Sequence, residues 1–118
     1  MSILTTIAIS IVIILHVLFL ILEMFLWNTP YGRKTFALSE EYAKQSAPLA
    51  DNQGLYNGFL AAGLLWGLLS TGGFDALVFF LSCIIIAGIY GAITAKRSIL
   101  WLQAMPAAIA MALLVCYY

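Results

Sequence analysis

Residues 3–22, ILTTIAISIVIILHVLFLIL, decide the fold, because this run contains no formal charge. A helix of about 20 residues crosses the ~30 Å hydrocarbon layer of a bilayer, and the apolar character continues as far as Trp27. The run has neither the basic start nor the small-residue cleavage site of a secretory signal peptide. We therefore predict an uncleaved first transmembrane span over residues 3–27.

The rest of the chain has the composition of a lipid-embedded protein. Of its 118 residues, 64% are hydrophobic and 8% are charged, which is far more apolar than a soluble domain. Further apolar runs predict spans at about 52–69, 76–94 and 98–116. Residues 28–51 are too polar to cross a membrane, and Ser39 followed by two acids predicts the start of a short interfacial helix there. The predicted fold is one all-α membrane domain, a four-transmembrane-helix bundle.

The basic residues indicate the orientation of these spans. Short loops rich in Lys and Arg stay on the cytoplasmic side of a membrane. All five basic residues lie in the first and third loops, and four spans place those two loops on the same side. We therefore expect a cytoplasmic loop at 28–51 and both termini outside the cytoplasm. The basic residues are Arg33, Lys34, Lys44, Lys96 and Arg97.

Composition and motifs also exclude several classes of function. The formal net charge is zero, so no basic field suggests a nucleic acid as partner. Cys83 and Cys116 lie in apolar runs without CxxC spacing, and we interpret both as packing residues. The chain has a single histidine, His16, and it lacks the motifs of hydrolases, P-loop proteins and Rossmann enzymes. We predict no metal site and no cofactor.

Small residues predict how the helices pack. Lipid provides no hydrophobic drive for helix association, so contacts depend on residues that let two backbones approach closely. Gly54, Gly58 and Ala62 recur every four residues in the second span, and Gly63 with Gly67 forms a second pair. This pattern favours packing within one chain over a dimer face, and a homo-oligomer stays open as an alternative.

The polar residues of the four spans share one depth. Counting five positions inward from the cytoplasmic end of each helix reaches one polar residue per helix, roughly 7–8 Å below the interface at 1.5 Å per residue. Polar groups inside a span normally face the protein interior. These residues and their neighbours form our candidate ligand-binding set: Glu23, Asn57, Tyr90 and Gln103, with Gln53, Asn52, His16 and Trp27.

Two interpretations of this polar layer compete. In the first, the Glu23 carboxylate accepts hydrogen bonds from Asn57, Tyr90 and Gln103, and the network fixes the register of the helices. Within this interpretation, Glu23 could also be a helix-end acid that reaches the interface. In the second, the layer lines a pocket that opens to the cytoplasm or the inner leaflet. Pro106 frees the carbonyl of Leu102 from its helical donor, and a kink there would make room beside Gln103.

His16 lies seven residues before Glu23, and both share a helix face with Trp27. The rise between His16 and Glu23 is roughly 10 Å, which is too far for both to ligate one metal ion. A proton relay from His16 to Glu23 is one hypothesis, and a packed, hydrogen-bonded histidine is the other.

With these residues in hand, the sequence resembles a known bacterial membrane family, the domain of unknown function 1304. The resemblance rests on the run NQGLYNGFLAAGL at 52–64, on AGIYG at 87–91, and on the positions of His16, Glu23 and Gln103. It covers essentially the whole chain. It implies a small multi-pass protein of the bacterial cytoplasmic (inner) membrane, with four helices and no established activity.

Three functions are consistent with these observations. The first is binding or transport of a small polar or amphipathic ligand, such as a lipid, in a cytoplasm-facing pocket. The second is a membrane-embedded enzyme that uses Glu23 and His16 as acid and base. The third is a structural or assembly partner that packs through its small-residue faces.

Overall fold

The computed structural model describes the whole chain, Met1–Tyr118, and its regular structure is entirely helical. Two compact units make up the chain: one consists of Met1–Leu15 and Leu60–Tyr118, and the other of His16–Phe59. We call them the first and the second unit. The helices are α1 (Ile3–Met24), α2 (Pro30–Phe36), α3 (Glu40–Leu69), α4 (Phe74–Thr94) and α5 (Met105–Tyr117), and a π-helical turn at Leu100–Ala104 runs directly into α5.

Three helical segments are long and apolar enough to cross a membrane: Ile3–Met24, Phe74–Thr94 and Leu100–Tyr117. This helix composition is that of a membrane protein. The predicted count of four is not reproduced, because the segment predicted as the second span, 52–69, does not qualify. It is the second half of α3, and its polar residues Asn52, Gln53 and Asn57 lower its hydropathy.

The start of α3 follows Ser39, as its sequence predicts. The Ser39 hydroxyl accepts a hydrogen bond from the Tyr42 amide at 3.1 Å, which satisfies one of the free N–H groups at a helix start. The helix does not stay short, however. It continues through Pro48 to Leu69, because a proline removes only one helical hydrogen bond, here the one to the Lys44 carbonyl. The expected loop at 28–51 is therefore mostly helical.

A π-helical turn precedes Pro106. The Met105 amide donates to the carbonyl of Leu100, five residues earlier, and Leu100–Ala104 is wound as a π-helix. A proline cannot supply the amide that an α-helical turn would need at this point, and local π geometry re-pairs the freed backbone groups. The irregularity expected at Pro106 thus takes the form of a widened turn.

The first unit has a dry core in which glycines allow close helix contacts. A Cβ atom on Gly63 would lie 2.5 Å from the Phe80 ring, and one on Gly67 would lie 2.7 Å from the Leu77 side chain. Cys83 is half-buried, whereas Cys116 is exposed, so the packing role predicted for Cys116 is wrong. The core side chains are Ile9, Val12, Leu64, Leu77, Leu81, Ile84, Ala107, Ala110 and Leu114.

Gly88 is the tightest contact between α4 and the π-helical turn, and it supports a stability prediction. A Cβ atom at Gly88 would lie 2.6 Å from the Ala104 amide nitrogen and 2.9 Å from its Cα, both backbone atoms that cannot move aside. We expect Gly88→Ala to lower the free energy of unfolding by about 1–3 kcal/mol. At Gly91 the nearest atom is the Ile99 Cγ2, at 3.1 Å, so Gly91→Ala is the matched control with a smaller effect. Thermal denaturation in a mild detergent measures both, and equal effects would contradict the packing argument.

Candidate functional site

The centre of the candidate site is one hydrogen bond between α1 and α3, inside the second unit. The Asn57 side-chain amide donates to the Glu23 carboxylate at 2.5 Å. Asn57 is only 4% exposed, and Glu23 is half-buried. The bond joins two side chains that are 34 residues apart in the sequence. The pair therefore links the last turn of α1 to the middle of α3.

Two glycines make this bond sterically feasible. Gly54, Asn57 and Gly58 are spaced three and four residues apart, so they lie on one face of α3. A Cβ atom at Gly54 would lie 2.6 Å from the Met24 Cγ and 3.2 Å from the Glu23 Cβ, and one at Gly58 would lie 2.6 Å from the Leu20 Cδ1. A larger residue at Gly54 would also press on the Leu20 carbonyl oxygen of the α1 backbone, at 3.2 Å, whereas at Gly58 the Leu20 side chain would have to move aside.

Trp27 anchors the chain that leaves α1. Its indole N–H donates to the Ser46 hydroxyl on α3 at 3.0 Å, and its ring lies 4.9 Å from the Phe36 ring on α2. Buried Gly32 of α2 packs directly on the backbone of Leu26, whose carbonyl oxygen leaves no room for a Cβ atom. The end of α1 is thus held by α2 and by α3.

An open groove lies beside these contacts, also within the second unit. Its volume is about 490 Å³. The end of α1, at Met24 and Phe25, forms one wall. The other wall is a face of α3 whose lining residues are three or four positions apart. The groove is lined by Met24, Phe25, Pro48, Asp51, Asn52 and Leu55.

The residues of the predicted polar layer are divided between the two units. Glu23 and Asn57 are bonded, whereas Tyr90 and Gln103 belong to the first unit. Tyr90 is 68% exposed on α4, so its predicted role as an inward-facing donor is wrong. Gln103 is half-buried in the π-helical turn and has a bonding partner.

The remaining predicted residues differ in their surroundings. His16 is 1% exposed, its ring lies edge-on to Phe19 at 5.2 Å between centroids, and it has a bonding partner, which favours the packed histidine over the relay. Asn52 and Gln53 are exposed, and only Asn52 lines the groove. No three His, Cys, Asp or Glu side chains come together as a metal site would require.

Sequence reasoning missed most of the groove. The missed residues are Met24, Phe25, Pro48, Asp51 and Leu55. The sequence does contain a pattern that predicts the α3 wall, because positions 48, 51, 52 and 55 have the spacing of one helix face. The prediction of a loop at 28–51 excluded a helix at positions 48 and 51, so this face was not recognised.

These features define a small all-helical membrane protein with a polar pair and a groove at the end of its first helix. The chain belongs to the family described as "Protein of unknown function (DUF1304)", which matches residues 10–115. It is also similar to the uncharacterized protein YpaA of Lactococcus lactis subsp. lactis (strain IL1403). The two are 28% identical over 102 residues, which is 83% of this chain and 86% of that protein. No solved structure matches the chain.

The Glu23–Asn57 bond predicts a specific pattern of stability changes. Asn57→Leu removes the donor and leaves a half-buried carboxylate unpaired, so we expect a loss of about 1–3 kcal/mol in the free energy of unfolding. Glu23→Gln keeps an oxygen that can accept from Asn57 and should lose less. Replacing both residues by Leu should recover most of the loss, because no polar group is then left without a partner.

Thermal denaturation in detergent measures these variants. Gln53→Ala serves as the control, since Gln53 is exposed on the same helix and its change should stay within about 0.5 kcal/mol. Glu23→Leu completes the cycle, and a double Leu variant as unstable as the sum of Glu23→Leu and Asn57→Leu would contradict the coupling of Glu23 to Asn57.

Proposed function

We propose that this protein binds a small amphipathic molecule in the groove at the end of α1. The observation that carries the proposal is the position of the groove beside the Glu23–Asn57 hydrogen bond. That bond holds α1 against α3, so the two walls of the groove keep a fixed spacing. An open groove with walls at a fixed spacing can hold a molecule along one side of the protein.

The lining of the groove supports an amphipathic ligand. Met24, Phe25 and Leu55 provide apolar surface, while Asp51 and Asn52 are exposed polar groups on the α3 wall. The groove is largely open, and its volume is about 490 Å³, so it would contact one side of an amphiphile and not enclose it. A molecule with an apolar part and a polar part would satisfy both kinds of surface.

The pairing of Glu23 also favours binding over acid–base catalysis. A general base must reach the proton that it abstracts, and the half-buried Glu23 accepts from Asn57 and does not line the groove. We therefore assign Glu23 a positioning role: it holds the helix that forms one groove wall.

We further propose that the second half of α3 is a fourth crossing of the bacterial cytoplasmic membrane. Its exposed polar residues, Asn52 and Gln53, lie at the start of this half, whereas the deeper Asn57 is buried and bonded. With four crossings, the basic residues of α2 and those after α4 share the cytoplasmic side. The groove then lies near the cytoplasmic interface, where amphipathic molecules concentrate.

Cysteine labelling tests the fourth crossing. In a Cys83→Ala/Cys116→Ala background, single Ser2→Cys and Thr71→Cys variants should both react with a membrane-impermeant maleimide added outside the cell. Ser98→Cys should react only after permeabilisation. If α3 does not cross, Ser2→Cys and Thr71→Cys would be labelled from opposite sides, because only α1 would separate them.

Native mass spectrometry tests ligand binding. Protein released from membrane nanodiscs should carry a bound amphiphile, and Leu55→Trp should reduce the bound fraction several-fold because the larger ring fills the groove. Leu69→Trp is the control, since Leu69 is 78% exposed at the far end of α3. Absence of a bound species from the wild-type protein, or its equal retention in Leu55→Trp, would contradict the proposal.

A further inference from the structure

We propose that the groove selects amphiphiles with a primary ammonium group. This inference rests on the proposed function and names the ligand class of the same site. The wall that α3 provides contains two side chains with acceptor oxygens, the Asp51 carboxylate and the Asn52 amide. Both side chains are exposed, and neither Lys nor Arg is among the groove residues. Asp51 is therefore the one charged side chain of the lining, and the nearest basic residue of α3, Lys44, lies one turn before Pro48 and outside the lining.

The end of α1 adds to this negative character. Met24, the last residue of α1, and Phe25 line the groove. The C-terminal end of a helix carries a partial negative charge and favours cations nearby.

The exposed ring of Phe25 also favours a cationic ligand. Its side chain is 68% exposed and lines the same groove as Asp51 and Asn52. The face of an aromatic ring attracts ammonium groups. An ammonium group has three donors and no acceptor, which matches a groove that offers oxygens. An anionic head group would meet Asp51 and the helix end as like charges.

The apolar part of the groove requires that the ammonium group belongs to an amphiphile. Met24, Phe25 and Leu55 offer surface for an alkyl chain. The same chemistry is found in a lipid with an ethanolamine head group and in a free long-chain amine. These two sources are separated by experiment.

The first experiment uses dodecylamine and dodecanol, which differ only in the head group. Binding to the purified full-length protein in a non-ionic detergent is followed by the fluorescence of Trp27 in a Trp66→Phe/Trp101→Phe background. We expect dodecylamine to bind more tightly than dodecanol. Asp51→Asn should weaken dodecylamine binding by about threefold and leave dodecanol binding unchanged. Asp75→Asn is the control, because Asp75 is an exposed acid at the start of α4, and it should change neither affinity.

The second experiment identifies the source of the ammonium group. Protein is released from nanodiscs that contain equal amounts of phosphatidylethanolamine and phosphatidylglycerol, and the bound lipid is identified by native mass spectrometry. Enrichment of phosphatidylethanolamine that is lost in Asp51→Asn supports a lipid head group. Selective dodecylamine binding without lipid enrichment supports a free amine.

Failure of the ligand class is distinguishable from failure of the proposed function. Equal binding of dodecylamine and dodecanol, both weakened by Leu55→Trp, would overturn the ammonium preference and leave amphiphile binding in place. Preferential retention of phosphatidylglycerol would overturn it as well. If neither compound nor any lipid bound, both the preference and the proposed function would be wrong.

Discussion

The hydrogen bond from Asn57 to Glu23 determines which faces of α1 and α3 meet. Hydrocarbon offers no partner to an amide or a carboxylate, so a polar group on an apolar helix has to be satisfied by another polar group of the protein. The contact forms because Gly54 and Gly58 flank Asn57 on the same face and have no side chains to separate the helices. The position of Trp27 and the groove at the end of α1 follow from this fixed approach.

The second feature that organises the site is the difference in polarity between the two halves of α3. Its first half carries the charges of Glu40, Glu41, Lys44 and Asp51, whereas its last 12 residues, 58–69, contain no charge. The groove lies where the polar half meets the apolar half. A molecule with a polar head and an apolar tail has the same division, so one continuous helix can contact both of its parts.

Periodicity and charge predict the helical class, the start of α3 at Ser39 and the disturbance at Pro106, because these depend on local chemistry. The continuity of α3 could not be predicted, since Pro48 is as typical of a loop as of a tolerated helix proline. Depth along a helix does not determine the direction of a side chain, and Tyr90 is exposed although its predicted depth equals that of Asn57. The pairing of Glu23 with Asn57 was predictable, and the outward direction of Tyr90 was not.

The negative character of the groove comes from Asp51, which is the one charged residue of its lining. An exposed carboxylate alone attracts a cation weakly, because water screens the pair. Met24, Phe25 and Leu55 offer apolar surface to an alkyl chain in the same groove, and the exposed ring of Phe25 also attracts ammonium groups. The preference for an ammonium head group therefore depends on the apolar wall as much as on the carboxylate, because the alkyl chain keeps the head group close to Asp51.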